Sequence, residues 1–121
     1  MYNIIFYKDQ KGNQPVLEYI RGLQGKDDED SHIKINKIYE YFSVVEEVGT
    51  HAGLPYVKFL GDGLWEIRPN RDRIIFFGWE GNNLVMLHHF MKTTQKTPPR
   101  EVDKEVDKAK RHLKDFLGQN D

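Results

Sequence analysis

Arg68 and Arg73 stand at the two ends of Pro69-Asn70-Arg71-Asp72, a polar stretch between the apolar runs Leu64-Trp65-Glu66-Ile67 and Ile74-Ile75-Phe76-Phe77. If those runs pair as a hairpin, the arginines oppose each other across the ladder, with side chains about 5 Å apart on one face. Like charges at that distance repel, so the pair makes chemical sense around an anion, and a phosphate matches the planar guanidinium fork. Downstream, Lys92 and Lys96 add charge in a segment, 88–100, that contains no acidic residue, and His88 offers a group that titrates near neutrality. A reading without a ligand also fits these residues: Arg68 can pair with Glu66, two residues away, or with Asp72 in the turn.

Positioning such side chains requires a sheet. Tyr2–Lys8, rich in β-branched and aromatic residues, predicts a first strand. In Gly12-Asn13-Gln14-Pro15 the proline suits the first turn of a helix, and Val16, Leu17, Ile20 and Leu23 keep the helical period up to Gly25. Lys26-Asp27-Asp28-Glu29-Asp30 reads as a solvated connection whose acids favour the N-terminus of the next helix, or else as an acidic patch for a partner. From Ser31 to about Val48, Ile35, Ile38, Tyr39, Phe42, Val45 and Val48 recur at three and four, the mark of an amphipathic helix. Gly49 to Pro55 is a loop. Strands are expected over about 56–60, 64–69, 72–80 and 83–90, with Glu80-Gly81-Asn82-Asn83 as a hairpin turn. After polar Thr93 to Pro99, a charged helix from Glu101 to Leu117 carries the stripe Val102, Val106, Ala109, Leu113 and Phe116 or Leu117. This order predicts an α+β fold: a curved, mainly antiparallel sheet, two N-terminal helices packed on one face and a C-terminal helix, with 1–121 as one domain.

Alternation assigns the faces. Trp65, Ile67, Ile74 and Phe76 share the helix side, and Glu66, Arg68, Arg73, Ile75, Phe77 and Trp79 share the other. A tight 80–83 turn sets Trp79 opposite Leu84; counting onward puts His88 opposite Ile75, on the arginine face, and Phe90 opposite Arg73. A one-residue bulge would exchange His88 and His89. The expected site is a concave sheet face bearing Arg68, Arg73, Lys92 and Lys96 above a partly exposed aromatic floor. Phe77 and Trp79 serve there as stacking surfaces or as core and partner contacts.

Bulk composition narrows the function classes. The net charge is −1, yet residues 1–53 hold 6 Lys/Arg against 9 Asp/Glu, whereas 54–121 hold 12 against 10. A local basic site on a near-neutral protein is consistent with that split. With charged residues at 31%, no apolar run reaches the ~18 residues of a spanning helix, and Met1-Tyr2-Asn3-Ile4 lacks the start of a signal peptide. Together with the absence of cysteine, this points to the cytoplasm. His32, His51 and His112 have no ligand partners at useful spacing, so neither a metal nor a cofactor is expected. Phosphate-loop and nucleophile-elbow glycine motifs are missing too.

Three stretches, Leu64-Trp65-Glu66-Ile67-Arg68, Arg73-Ile74-Ile75-Phe76-Phe77 and Leu87-His88-His89-Phe90-Met91-Lys92-Thr93-Thr94-Gln95-Lys96-Thr97-Pro98 followed by a helix, resemble the RelE/ParE superfamily of bacterial toxins, and more closely its phage-derived HigB-like branch. The element order extends the likeness over nearly the whole chain. The resemblance implies a type II toxin that cuts mRNA on the translating ribosome without a metal and is silenced by a co-expressed helix-turn-helix antitoxin, HigA-like. Carried over by position, Arg68 and Arg73 would bind the scissile phosphate, and Lys92 and Lys96 would add charge around it. Some relatives end in a tyrosine near the active site, but here no tyrosine follows Tyr56; the acid or base role is assigned to His88, whose ordinary pKa lies near neutrality, with completion of the site by the ribosome as the alternative. Lys58 and Arg71 are expected as further RNA contacts. Two other readings stay open: a ParE-like gyrase poison, against which the Lys92/Lys96 ending argues, and a non-catalytic RNA- or protein-binding module.

Overall fold

Each N-terminal helix begins where the sequence supplies partners for its first amides. In the computed structural model, which describes residues 1–92 and 99–120, α1 (Pro15–Gln24) starts on Pro15, which has no amide hydrogen to satisfy. Helix α2 (Glu29–Val48) starts two residues before the apolar period does, because Asp28 caps it: its carboxylate accepts from the Ser31 amide at 2.9 Å and from the Ser31 hydroxyl. Glu29 and Asp30 occupy the first turn, where the helix dipole favours acids. The acidic connection thus serves the helix that follows it.

Five strands, β1 (Asn3–Phe6), β2 (Val57–Gly61), β3 (Leu64–Ile67), β4 (Asp72–Trp79) and β5 (Asn83–Met91), form one sheet in the order β1-β5-β4-β3-β2. Only β1 runs parallel to its neighbour, β5, since the two helices intervene and carry the chain back to the same end. Helices α1 and α2 cover one face, burying Val16, Ile20, Leu23, Ile35, Ile38, Phe42 and Val45 against Ile67, Ile74, Phe76 and Met86. Of the α2 stripe, Tyr39 and Val48 remain partly exposed. The α+β architecture with N-terminal helices on one face is therefore as the periodicity predicts.

The opposite face corrects the expectation of a partly exposed aromatic floor. Helix α3 (Pro99–Gln119) lies across it and builds a second core from Leu64, Ile75, Phe77, Val85 and Leu87 with Ala109 and Phe116. Phe77 meets Phe116 edge-on at 5.7 Å and Trp79 meets the same ring at 4.9 Å, so these aromatics are helix-packing residues and not base platforms.

The register between β4 and β5 also departs from simple counting. Trp79 pairs with Asn83 rather than Leu84, because Glu80 and Gly81 both take positive φ in the turn. A bulge between Ile75 and Phe76 inserts Leu87 as the extra residue and returns the one-residue offset. The two shifts cancel, and His88 faces Ile75 while Phe90 faces Arg73, as expected.

One backbone position has no tolerance for a side chain. Gly49 ends α2 at φ 59°, ψ −139°, and a Cβ there would stand 2.7 Å from the Tyr2 ring. Gly49→Ala is expected to lower stability by about 2–4 kcal/mol, the sum of backbone strain and overpacking, read as an earlier midpoint in urea denaturation.

Candidate functional site

The site is built from two cross-strand rows on the α3 face. In one row Lys58 pairs with Glu66, Glu66 with Ile75 and Ile75 with His88. In the next, Arg68 follows Ile67 out of β3 with its amide bonded to the Tyr56 carbonyl, and Arg73 pairs with Phe90. Since Ile67 pairs with Ile74, one further step along both strands brings Arg68 and Arg73 opposite each other. Arg73 and His88 are diagonal neighbours across β4 and β5, at a spacing of about 7–8 Å.

Arg73 is held rigidly. Only 7% exposed, it donates from Nη1 to the carbonyls of Asn70 at 2.7 Å and Asp72 at 2.8 Å, both in its own turn. Burial, and then the charge of Arg68, draw its pKa below the ordinary arginine value, with Glu66 and Asp72 opposing. Arg68 is half-buried, and its Nε lies 3.5 Å from Glu66 Oε1, an ion pair by distance without hydrogen-bond alignment. The pairing of Arg68 with Glu66 that the sequence allows is thus present, and Asp72 is engaged elsewhere. Among the described residues, both Nε atoms, of Arg68 and of Arg73, are nevertheless shielded from solvent without a hydrogen-bond acceptor. Buried N–H donors without partners cost stability, and paired guanidinium groups are the kind of cation that suits an oxyanion.

The remaining expected residues are distributed unevenly. His88 lies on the arginine face, with its Nε2 on the Glu105 carboxylate of α3. Lys58 is exposed on the edge strand beside Glu66, at the margin of the same face. Lys92 leaves the end of β5, half-buried, with its amide donating to the Arg71 carbonyl at 2.8 Å. Lys96 lies outside the described residues. Arg71 is exposed and turns to the other side of the hairpin, into a cleft of about 310 Å³ lined by Asp30, Lys34, Asn70 and Met91. It does not join the paired arginines. Among the described residues, no cluster of His, Asp or Glu is arranged to hold a metal ion, and no helix is long and apolar enough to cross a membrane.

Two groups beside the site escaped sequence reasoning. On the helix side of the hairpin, buried Asp72 accepts from Tyr19 Oη at 2.7 Å and from His89 Nε2 at 2.9 Å, and the Tyr19 and His89 rings stack at 3.5 Å. Strand alternation places Asp72 and His89 on one face, but Tyr19 comes from α1, beyond the reach of strand counting. The second is Glu105, one turn from Val102 and Ala109, an acid on the flank of an otherwise apolar stripe. That position was its available signal.

Residues 27–114 match the model of the family described as phage-derived protein Gp49-like (DUF891). The chain belongs to that family. Gp49-like proteins are RelE-like and toxin-like, and membership agrees with the α+β fold. No curated protein matches the chain.

Proposed function

We propose that this Gp49-like protein is the toxin of a HigB-like type II toxin–antitoxin pair, a ribosome-dependent endoribonuclease that arrests translation by cutting mRNA. The observation that carries the reading is the Arg68/Arg73 pair, two guanidinium groups on one face whose shielded Nε donors make no hydrogen bond among the described residues. Such a clamp stabilises charge developing on a phosphorane while the RNA's own 2′-hydroxyl attacks, and positioning supplies the rest of the rate. Lys92 and Lys96 add positive charge beyond β5, and Lys58 and Arg71 bind flanking RNA or ribosomal RNA, where their loss weakens binding without abolishing chemistry. The cognate partner is a helix-turn-helix antitoxin, received on exposed apolar residues of α2 such as Ile33 and Tyr39.

The test is expression of wild type and of the Arg68→Ala/Arg73→Ala pair from a tightly repressed promoter. New mRNA 5′ ends are mapped in translating cells and in cells with initiation blocked. Growth arrest with cuts that need both translation and the arginines is the expected result. Arrest with intact mRNA and induced DNA damage would reassign the target to gyrase, and harmless expression would favour a binding module.

A further inference from the structure

We propose that Glu105 is the positioning residue of a carboxylate–histidine dyad that holds His88 as general base toward the attacking 2′-hydroxyl. The inference rests on the ribonuclease reading above. Along α3, Val106 and Ala109 point into the sheet, and a glutamate on the flank of that stripe loses hydration unless it finds a partner. Glu105 finds His88: its side chain is 23% exposed, that of His88 is 12% exposed, and the carboxylate meets the ring at Nε2. An ionised carboxylate only accepts, so the ring nitrogen facing it carries the proton. The lone pair of the neutral ring is then on Nδ1, the arrangement by which a buried acid fixes the tautomer of a catalytic histidine.

Neighbouring histidines show the contrast. His89 is turned to the helix side and bound to Asp72, and His112 is bonded through Nδ1 to the Leu87 carbonyl and stacked on Tyr7 at 4.6 Å. Of the three, His88 shares the sheet face of Arg68 and Arg73, and its Nδ1 has no hydrogen-bond partner among the described residues. The groups facing it are Glu105, Lys108 and His112 from α3 and, diagonally, Arg73 from β4. Burial lowers its pKa most, His112 and Lys108 act in the same direction, and Glu105 opposes them, with a net shift below the ordinary histidine value. That direction favours the neutral ring, the form a base must start from.

In the step this permits, Nδ1 takes the 2′-hydroxyl proton as the 2′-oxygen bonds to phosphorus and the P–O5′ bond breaks. The proton passes from the imidazolium through solvent to the departing 5′-oxygen. A 2′,3′-cyclic phosphate and a 5′-hydroxyl result, with no net change in protons.

The test compares wild type, Glu105→Gln and Lys108→Gln by single-turnover cleavage on programmed ribosomes across the pH range of histidine titration, with the His88 ring protons followed by NMR. Glu105→Gln is expected to cut the plateau rate about ten-fold or more and to move the His88 midpoint downward in both the rate profile and the NMR titration. Lys108→Gln is expected to move both midpoints upward. A helix-anchoring role alone would not displace the rate profile in opposite directions. Cleavage indifferent to Glu105→Gln, with unmoved midpoints, overturns the dyad and leaves the ribonuclease standing. Wild type that cuts no RNA overturns both. Should Glu105→Gln fail to fold, Glu105→Asp takes its place: a lower plateau rate with a moved His88 midpoint supports the dyad, and an unmoved rate and midpoint overturn it.

Discussion

On the ribonuclease reading, Arg73→Ala is expected to reduce mRNA cleavage by about 10²–10³-fold, the usual loss when one preorganised donor to a developing oxyanion is removed. The size of the effect follows from how Arg73 is held. Its Nη1 is committed to the Asn70 and Asp72 carbonyls, so the guanidinium is fixed before any substrate arrives and spends no free energy on ordering when charge develops. Stability changes far less, because the two carbonyl hydrogen bonds that are lost are offset by relief of a buried charge beside Arg68. Arg73→Lys recovers only part of the activity, since an ammonium cannot serve both turn carbonyls and a phosphate with the geometry of a planar fork. The check is the cleavage rate on programmed ribosomes beside a thermal denaturation curve for each variant. A stably folded Arg73→Ala protein with undiminished toxicity in cells would remove the clamp from the mechanism.

Asp72→Ala has one of the largest expected effects on stability, about 2–4 kcal/mol at neutral pH, because it strands half-buried hydrogen-bonding groups of Tyr19 and His89. The same carboxylate makes stability depend on pH. Burial raises its pKa, but the hydrogen bonds from His89 and Tyr19 and the charges of His89 and Lys34 outweigh that and bring it net below the usual aspartate value. A depressed folded pKa means that this contribution is fully present above the unfolded value, about 3.9, and is lost as pH falls through the folded value. Wild type therefore loses this stability below about pH 4, whereas Asp72→Asn, somewhat less stable throughout, lacks this component of the acid loss. Urea denaturation midpoints measured at several acidic pH values distinguish the two. Because Asp72 also presents its carbonyl to Arg73, cleavage should fall in Asp72→Ala as the hairpin loosens.

The paired arginines were legible because they depend on two local facts, strand alternation and a four-residue connection. For Phe77 and Trp79 the sequence offered core contact as well as stacking surface, since an apolar strand face looks the same whether water, RNA or a helix covers it. Only the return of α3 across the sheet decides that Phe116 fills the space above them. The position of His88 was read correctly from a count that contained two compensating departures, a three-residue turn and a bulge at Leu87. Neither departure has a local signature strong enough to predict the other. Tyr19 and Glu105 lay outside reach for a common reason: each acts across a helix–sheet interface, and periodicity reports which side of an element is apolar, not which element it meets.

By itself the chain's pattern determined the element order, the central place of β4 and the common face of Arg68 and Arg73, because period-two and period-3.6 burial are written residue by residue. Tertiary structure alone decided that the arginine-bearing face is half roofed by α3, that Arg73 is braced by its own turn, and that Glu105 meets His88. Those contacts join residues separated by the whole sheet or helix, and their free energy exists only after the layers have packed.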